Sequence, residues 1–150
     1  MCYFIHGFVN ADVDKETLSS IIKKHGSIFE PNLKNVEKIK GLGETTGFPY
    51  PGTNGCCDCG TSLGEGKADK EIEKYVSFFK DAQNCPKLKY LGIAKYWASD
   101  YEETAKNGEY QIERVPYNKI DGQFLAGMKE NVIYKFIKYW DGKTYDTYEF

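Results

Sequence analysis

Three cysteines fall within four consecutive positions, in the run Cys56-Cys57-Asp58-Cys59-Gly60. The chain has five cysteines, and the other two are Cys2 and Cys85. A cysteine in a domain core behaves as a small, dispersed hydrophobe. A cluster inside a glycine-rich stretch points instead to thiolate chemistry, either metal ligation or reversible oxidation. Cys56 and Cys59 have two residues between them and a glycine after them. That spacing is half of a zinc knuckle: the turn sets both sulfurs on one side, and the glycine lets backbone amides approach them. A structural zinc takes four ligands, so the remainder must come from elsewhere in the chain.

Cys2 and His6 are the nearest further donors. In a regular strand their Cα atoms stand about 13 Å apart, at roughly 3.3 Å per residue. Metal–ligand bonds of about 2.0–2.3 Å cannot close that gap, so one of the two serves and not both. Cys2 is the better choice because a terminal residue can bend toward the loop. The candidate metal ligands are therefore Cys2, Cys56, Cys57 and Cys59, with zinc as the ion. Asp58, His25, Cys85 or solvent are alternatives for the fourth place. His6 reads more simply as a strand histidine with one ring nitrogen hydrogen-bonded. His25 reads as a cation placed at a helix C-terminus.

The same residues support other chemistries. A Cys-x-x-Cys pair can form a reversible disulfide, and a neighbouring thiol can resolve a sulfenic acid. Such pairs usually sit at a helix N-terminus, whereas here the next helix begins only near Lys67. Cys2 exposed by removal of Met1 would carry its own amine as base. No residue is assigned a catalytic role. The plainest alternative is that the cysteines only pack, in a protein that uses the loop and its aromatic strands to meet a protein partner.

Other motifs fail on inspection. Gly60-Thr61-Ser62-Leu63-Gly64-Glu65-Gly66-Lys67-Ala68 looks like a phosphate loop, but its first glycine is misplaced and Ala68 lacks the hydroxyl that binds magnesium. Ser62 has no visible base. Arg114 is the single arginine among 20 basic residues and the net charge is -2. Planar recognition of phosphate and base edges favours arginine, so a nucleic-acid partner is not expected. Tyr90, Tyr96, Trp97 and Tyr101 form an aromatic belt that suits a sheet better than a base-stacking surface. No apolar run is long enough to span a bilayer, and the apolar start lacks the flanks of a signal peptide. A reducing, cytoplasmic setting follows as the expectation, with thiols kept free or metal-bound.

The elements that position the cluster can be read in outline. With 150 residues and 41% hydrophobics, one compact domain over 1–150 has material for a core. Cys2 to Val9 reads as a buried strand. Asp14 is an N-cap, Leu18, Ile21 and Ile22 follow at helical spacing, and Gly26 ends the helix. Residues 28–40 fit a short strand or a helical turn. Residues 41–66 hold eight of the 15 glycines and lose all periodicity, apart from strand character around Phe48 or the cysteines. So long a loop calls for a function or a clip. Ala68, Ile72, Tyr75, Val76 and Phe79 form one face of a second helix that stops before Pro86. Leu88 to Ala98 reads as a central strand, 100–108 as a polar loop or helical turn, and 109–115 as a strand. Ile120 to Met128 suits a short helix. Val132 to Trp140, Asp141-Gly142 and Lys143 to Phe150 form a C-terminal β-hairpin. The expected fold class is α+β: a mainly antiparallel sheet with two main helices on one face.

Met1-Cys2, the segment Cys57-Asp58-Cys59-Gly60-Thr61 with Gly64 soon after, and Glu130-Asn131-Val132-Ile133-Tyr134 together resemble a group of small uncharacterised bacterial proteins. Those begin Met-Cys and carry Cys-Asp-Cys-Gly-Thr near the middle. The resemblance implies no activity. It implies that Cys57 and Cys59 matter more than Cys56, and that Cys2 and the loop belong to one site.

Overall fold

The computed structural model describes residues 3–26, 37–49 and 61–137. Six strands form one sheet: β1 (Tyr3–Asn10), β2 (Glu37–Ile39), β3 (Gly43–Pro49), β4 (Tyr90–Trp97), β5 (Ile112–Pro116) and β6 (Ile133–Ile137). Their order across the sheet is β2-β3-β1-β4-β6-β5. Every described pairing is antiparallel except β5 with β6. Four helices accompany the sheet: α1 (Lys15–Lys24), α2 (Lys70–Ala82), α3 (Ala98–Asn107) and α4 (Gly122–Ala126). The architecture is α+β, as the sequence pattern indicates.

Helices α1 and α2 form where the caps and apolar spacing put them. The Asp14 carboxylate accepts from the Thr17 amide, and Lys23 and Lys24 complement the dipole at the far end of α1. In α2 the cap is Asp69, which accepts from the Ile72 amide, so the helix starts slightly later than its apolar face suggests. Ile72, Tyr75, Phe78, Phe79 and Ala82 are its buried face. Each large apolar side chain so buried contributes roughly 1.5–3 kcal/mol.

The period-two alternation of the strands divides the core in two. Ile5 and Val9 of β1, Leu91 and Ile93 of β4, and Tyr134 and Phe136 of β6 join the buried faces of α1 and α2, with Leu125 of α4. Phe8, Tyr90, Ala94, Tyr96, Ile133 and Ile137 point to the other face, where Ile39 and Leu42 meet them. That second face is closed by the sheet's own curl. Although β2 and β5 are its two edges, a Cβ on Gly41 would stand 2.6 Å from Ile112 Cδ1. The β2–β3 turn is tied down there: Tyr90 Oη donates to Leu42 O at 2.8 Å and Lys135 Nζ to Gly41 O at 3.0 Å.

Three elements differ from their sequence expectation or extend it. Residues 37–49 form a β-hairpin, so the glycine-rich stretch begins as strand and includes Phe48, where strand character was anticipated. Residues 98–107 form a ten-residue helix, more than a turn. Strand β6 falls where the first strand of the expected C-terminal hairpin was read, while the expected turn at Asp141-Gly142 and second strand lie outside the described residues. No helix among the described residues is long and apolar enough to cross a membrane.

Candidate functional site

Cys2, Cys56, Cys57 and Cys59, with Asp58, lie outside the described residues. The structure bears instead on the residues that flank them. Strand β1 starts at Tyr3, next to Cys2, and β3 ends at Pro49, where it pairs with His6. Strand β3 therefore ends beside the first half of β1, and residues 50–60 lie outside the described residues. The chain is described again from Thr61, and there too it is fixed to the sheet.

Lys95 does much of that fixing. It pairs with Ile5 across β4 and β1, and its side chain is only 2% exposed. Its ammonium donates to Leu63 O at 3.1 Å and to Glu65 Oε1 at 2.6 Å, and stands 4.9 Å from the Tyr3 ring centroid. The Lys95 ammonium holds the Glu65 carboxyl below its usual range. The amides of Gly64 and Gly66 donate to Leu125 O and Ala126 O, which ties the same strap to α4. Thr61 donates to Glu71, and Ser62 donates to Asp69 and Glu71, so both hydroxyls lock the strap to the first turn of α2. The Ser62 bond lowers the Asp69 carboxyl, helped by the capping amide of Ile72. Ser62 is thus a structural hydroxyl between two carboxylates.

The remaining sequence candidates separate. His6 keeps to its strand, with its ring 6.5 Å from Phe8 and 6.3 Å from Tyr96 between centroids. Cys85 and His25 belong to the opposite end of the sheet. Cys85 is buried in the core just before β4, and its thiol faces Asp14 O at 3.5 Å. His25 closes α1, with Nε2 2.8 Å from Asp81 Oδ2 and its ring edge-on to Phe78. The Asp81 carboxyl is lowered first by His25 and then by Lys24, which is 3.1 Å away. His25 thus stands at the C-terminus of α1, where the sequence reading puts it, and away from β1's first residues. Among the described residues, no group of three His, Cys, Asp or Glu side chains could hold a metal ion.

Sequence reasoning missed Lys95, because a lysine inside an apolar strand reads as an outward residue. The one available signal was its position: Leu91, Ile93 and Lys95 share a parity, and the first two are core. Comparison with protein-family models, with curated proteins and with solved structures finds no match to this chain.

Proposed function

We propose that this is a small metal-binding protein in which Cys2, Cys56, Cys57 and Cys59 supply the ligands for one transition-metal ion. Zinc is the preferred ion, since thiolates select it and it needs no redox partner. Its role is structural: four thiolates clip the 50–60 segment to the start of β1. The chemistry the ion supplies is that crosslink alone. The observation that carries the reading is the common anchoring of the segment's two flanks. Pro49 is paired with His6 on one side of β1, and Leu63 is bonded to the side chain of Lys95, the partner of Ile5 on the other side, so both flanks attach to the sheet at the level of Ile5 and His6. Cys2 is three positions before Ile5. The likeness to the Met-Cys bacterial group points the same way, toward Cys2 with Cys57 and Cys59. A reducing cytoplasmic compartment suits such thiolates, and the near-neutral charge with one arginine argues against a nucleic-acid partner.

Elemental analysis of untagged protein purified without added metal, with thiol titration before and after a chelator, tests this. The expected result is about one zinc per chain with the clustered thiols protected until chelation. Metal-free protein whose thiols pair reversibly on oxidation would end the metal reading and transfer the site to thiol-redox chemistry. Metal-free protein with unreactive thiols would leave packing, or a protein-docking loop, as the role of the cluster.

A further inference from the structure

The Asn10 end of β1, opposite Tyr3, carries a second feature. Between Tyr3 and Asn10 the strand runs about 20 Å, at roughly 3.3 Å per residue. At the Asn10 end a cleft of about 400 Å³ opens between the β1–α1 turn, the β2–β3 hairpin and the start of β4. Its size lies within the range of small-molecule sites.

The walls of this cleft are fixed by buried polar side chains. Asn10 is 4% exposed, and it donates to Lys87 O at 2.8 Å while accepting from the Lys89 amide at 2.8 Å. Its amide also donates to Asp12 Oδ1, which sets the orientation of that carboxylate. Tyr90 Oη holds the hairpin through Leu42 O. The Asn10 bond, followed by Lys89, keeps the Asp12 carboxyl below its usual range, so it faces the cleft as an anion.

The charges on the two walls are matched. Asp12 and Lys89 stand on one side, with Oδ2 and Nζ 3.3 Å apart. Lys38 and Glu44 line the other side and are register partners in β2 and β3. A bare cation entering the cleft meets two ammonium groups, and a polyanion meets two carboxylates. A molecule with one charge of each sign finds a partner for both. The Asp12–Lys89 pair is solvent-exposed and weak, so a ligand can compete for either member.

We propose that this cleft binds a small zwitterion, a molecule with an ammonium and a carboxylate a few bonds apart, of which a free α-amino acid is the simplest. The carboxylate lies toward Lys89 or Lys38 and the ammonium toward Asp12 or Glu44. The inference is independent of the metal reading, because the two sites share no residue.

Amide NMR of the full ¹⁵N-labelled chain tests it, with glycine, L-leucine, L-phenylalanine and L-glutamine as probes at millimolar concentration. The expected result is a saturable shift of the Ala11, Asp12, Lys89 and Tyr90 amides by at least one of the four. Where L-phenylalanine binds, 3-phenylpropanoate and 2-phenylethylamine, each lacking one charge, bind about tenfold more weakly or worse. The corresponding acid and amine serve for the other probes. Asp12→Asn keeps an oxygen for the Asn10 bond but loses the charge, and it weakens binding about tenfold while leaving distant amides in place. Lys89→Met does the same from the other sign. No shift with any probe, or equal binding of single-charge analogues, overturns the proposal.

Discussion

Two lysines are buried on opposite faces of one sheet, and they use nearly the same contacts to different ends. Lys95 shares the helix-covered face with Leu91 and Ile93, while Lys135 shares the curled face with Ile133 and Ile137. Each ammonium donates to a loop carbonyl, Leu63 O at 3.1 Å and Gly41 O at 3.0 Å. Each stands 4.9 Å from a tyrosine ring centroid, Tyr3 for Lys95 and Tyr90 for Lys135. Each therefore hooks a loop onto the sheet. The difference is access to water. Lys135 is 0% exposed, whereas Lys95 reaches out to the carboxylate of Glu65, which is 57% exposed. A buried cation that touches a solvated anion can be tuned by acid and salt through that anion.

The comparison predicts a ranking. Lys135→Met should cost the most, about 3 kcal/mol in urea denaturation at neutral pH, because the whole side chain is buried and the variant takes the donor from Gly41 O. A loss no larger than that of the corresponding Lys95 variant would break the distinction. The two hooked loops also differ at their glycines. Gly64 has φ +75° and a Cβ there would meet the Met128 carbonyl oxygen at 2.6 Å, a backbone atom that cannot step aside. Gly41 has φ +90°, but its obstacle is the end of the Ile112 side chain. Gly64→Ala should cost about 2 kcal/mol and Gly41→Ala about 1 kcal/mol, since the left-handed penalty is shared and only the clash differs. Reversal of that order would mean that the curl is more rigid than the strap. Lys95→Met should cost about 1–2 kcal/mol by the same denaturation, since Leu63 O loses its donor while Glu65 returns to water.

These lysines also show where the sequence was informative. Helices α1 and α2 were legible because caps and apolar spacing agree: Asp14 before Leu18 and Ile22 leaves little choice. Strand β4 was legible because Tyr90 to Tyr96 is apolar at almost every position. Lys95 and Lys135 were not, since a lysine is placed outside by default and only distant partners, Leu63 and Gly41, bring it in. The β2–β3 hairpin was legible only in part, as a short strand or helical turn within 28–40 and as strand character around Phe48, because Gly43, Thr45 and Thr46 carry little apolar signal. Their burial is set by Val9, whose carbonyl accepts from the Thr45 hydroxyl. The candidate cysteines were obvious as a cluster but lie outside the described residues, and the attachment of the flanking residues Pro49 and Leu63 to the sheet needed the register of β1 with β3 and β4.

The smallest expected effect is the sharpest test of the contrast. Lys95 lowers the Glu65 carboxyl, so the charged form is favoured in the folded chain. That contribution is complete above the unfolded carboxyl value of about 4.3 and is lost as the pH falls through the folded value. Glu65→Gln should therefore leave stability at neutral pH nearly unchanged, as the carboxylate is exposed and screened by solvent and the amide oxygen can still accept from Lys95. Below about pH 4.5 it should lose less than the wild type does. Asp12, Asp69 and Asp81 are lowered too and impose their own acid losses, so the readout is the difference between the two pH profiles. That difference should vanish in a Lys95→Met background, where Glu65 has no partner, and persist in a Lys135→Met background. Persistence in both would assign the shift to another charge near the strap and dissolve the distinction between the two hooks.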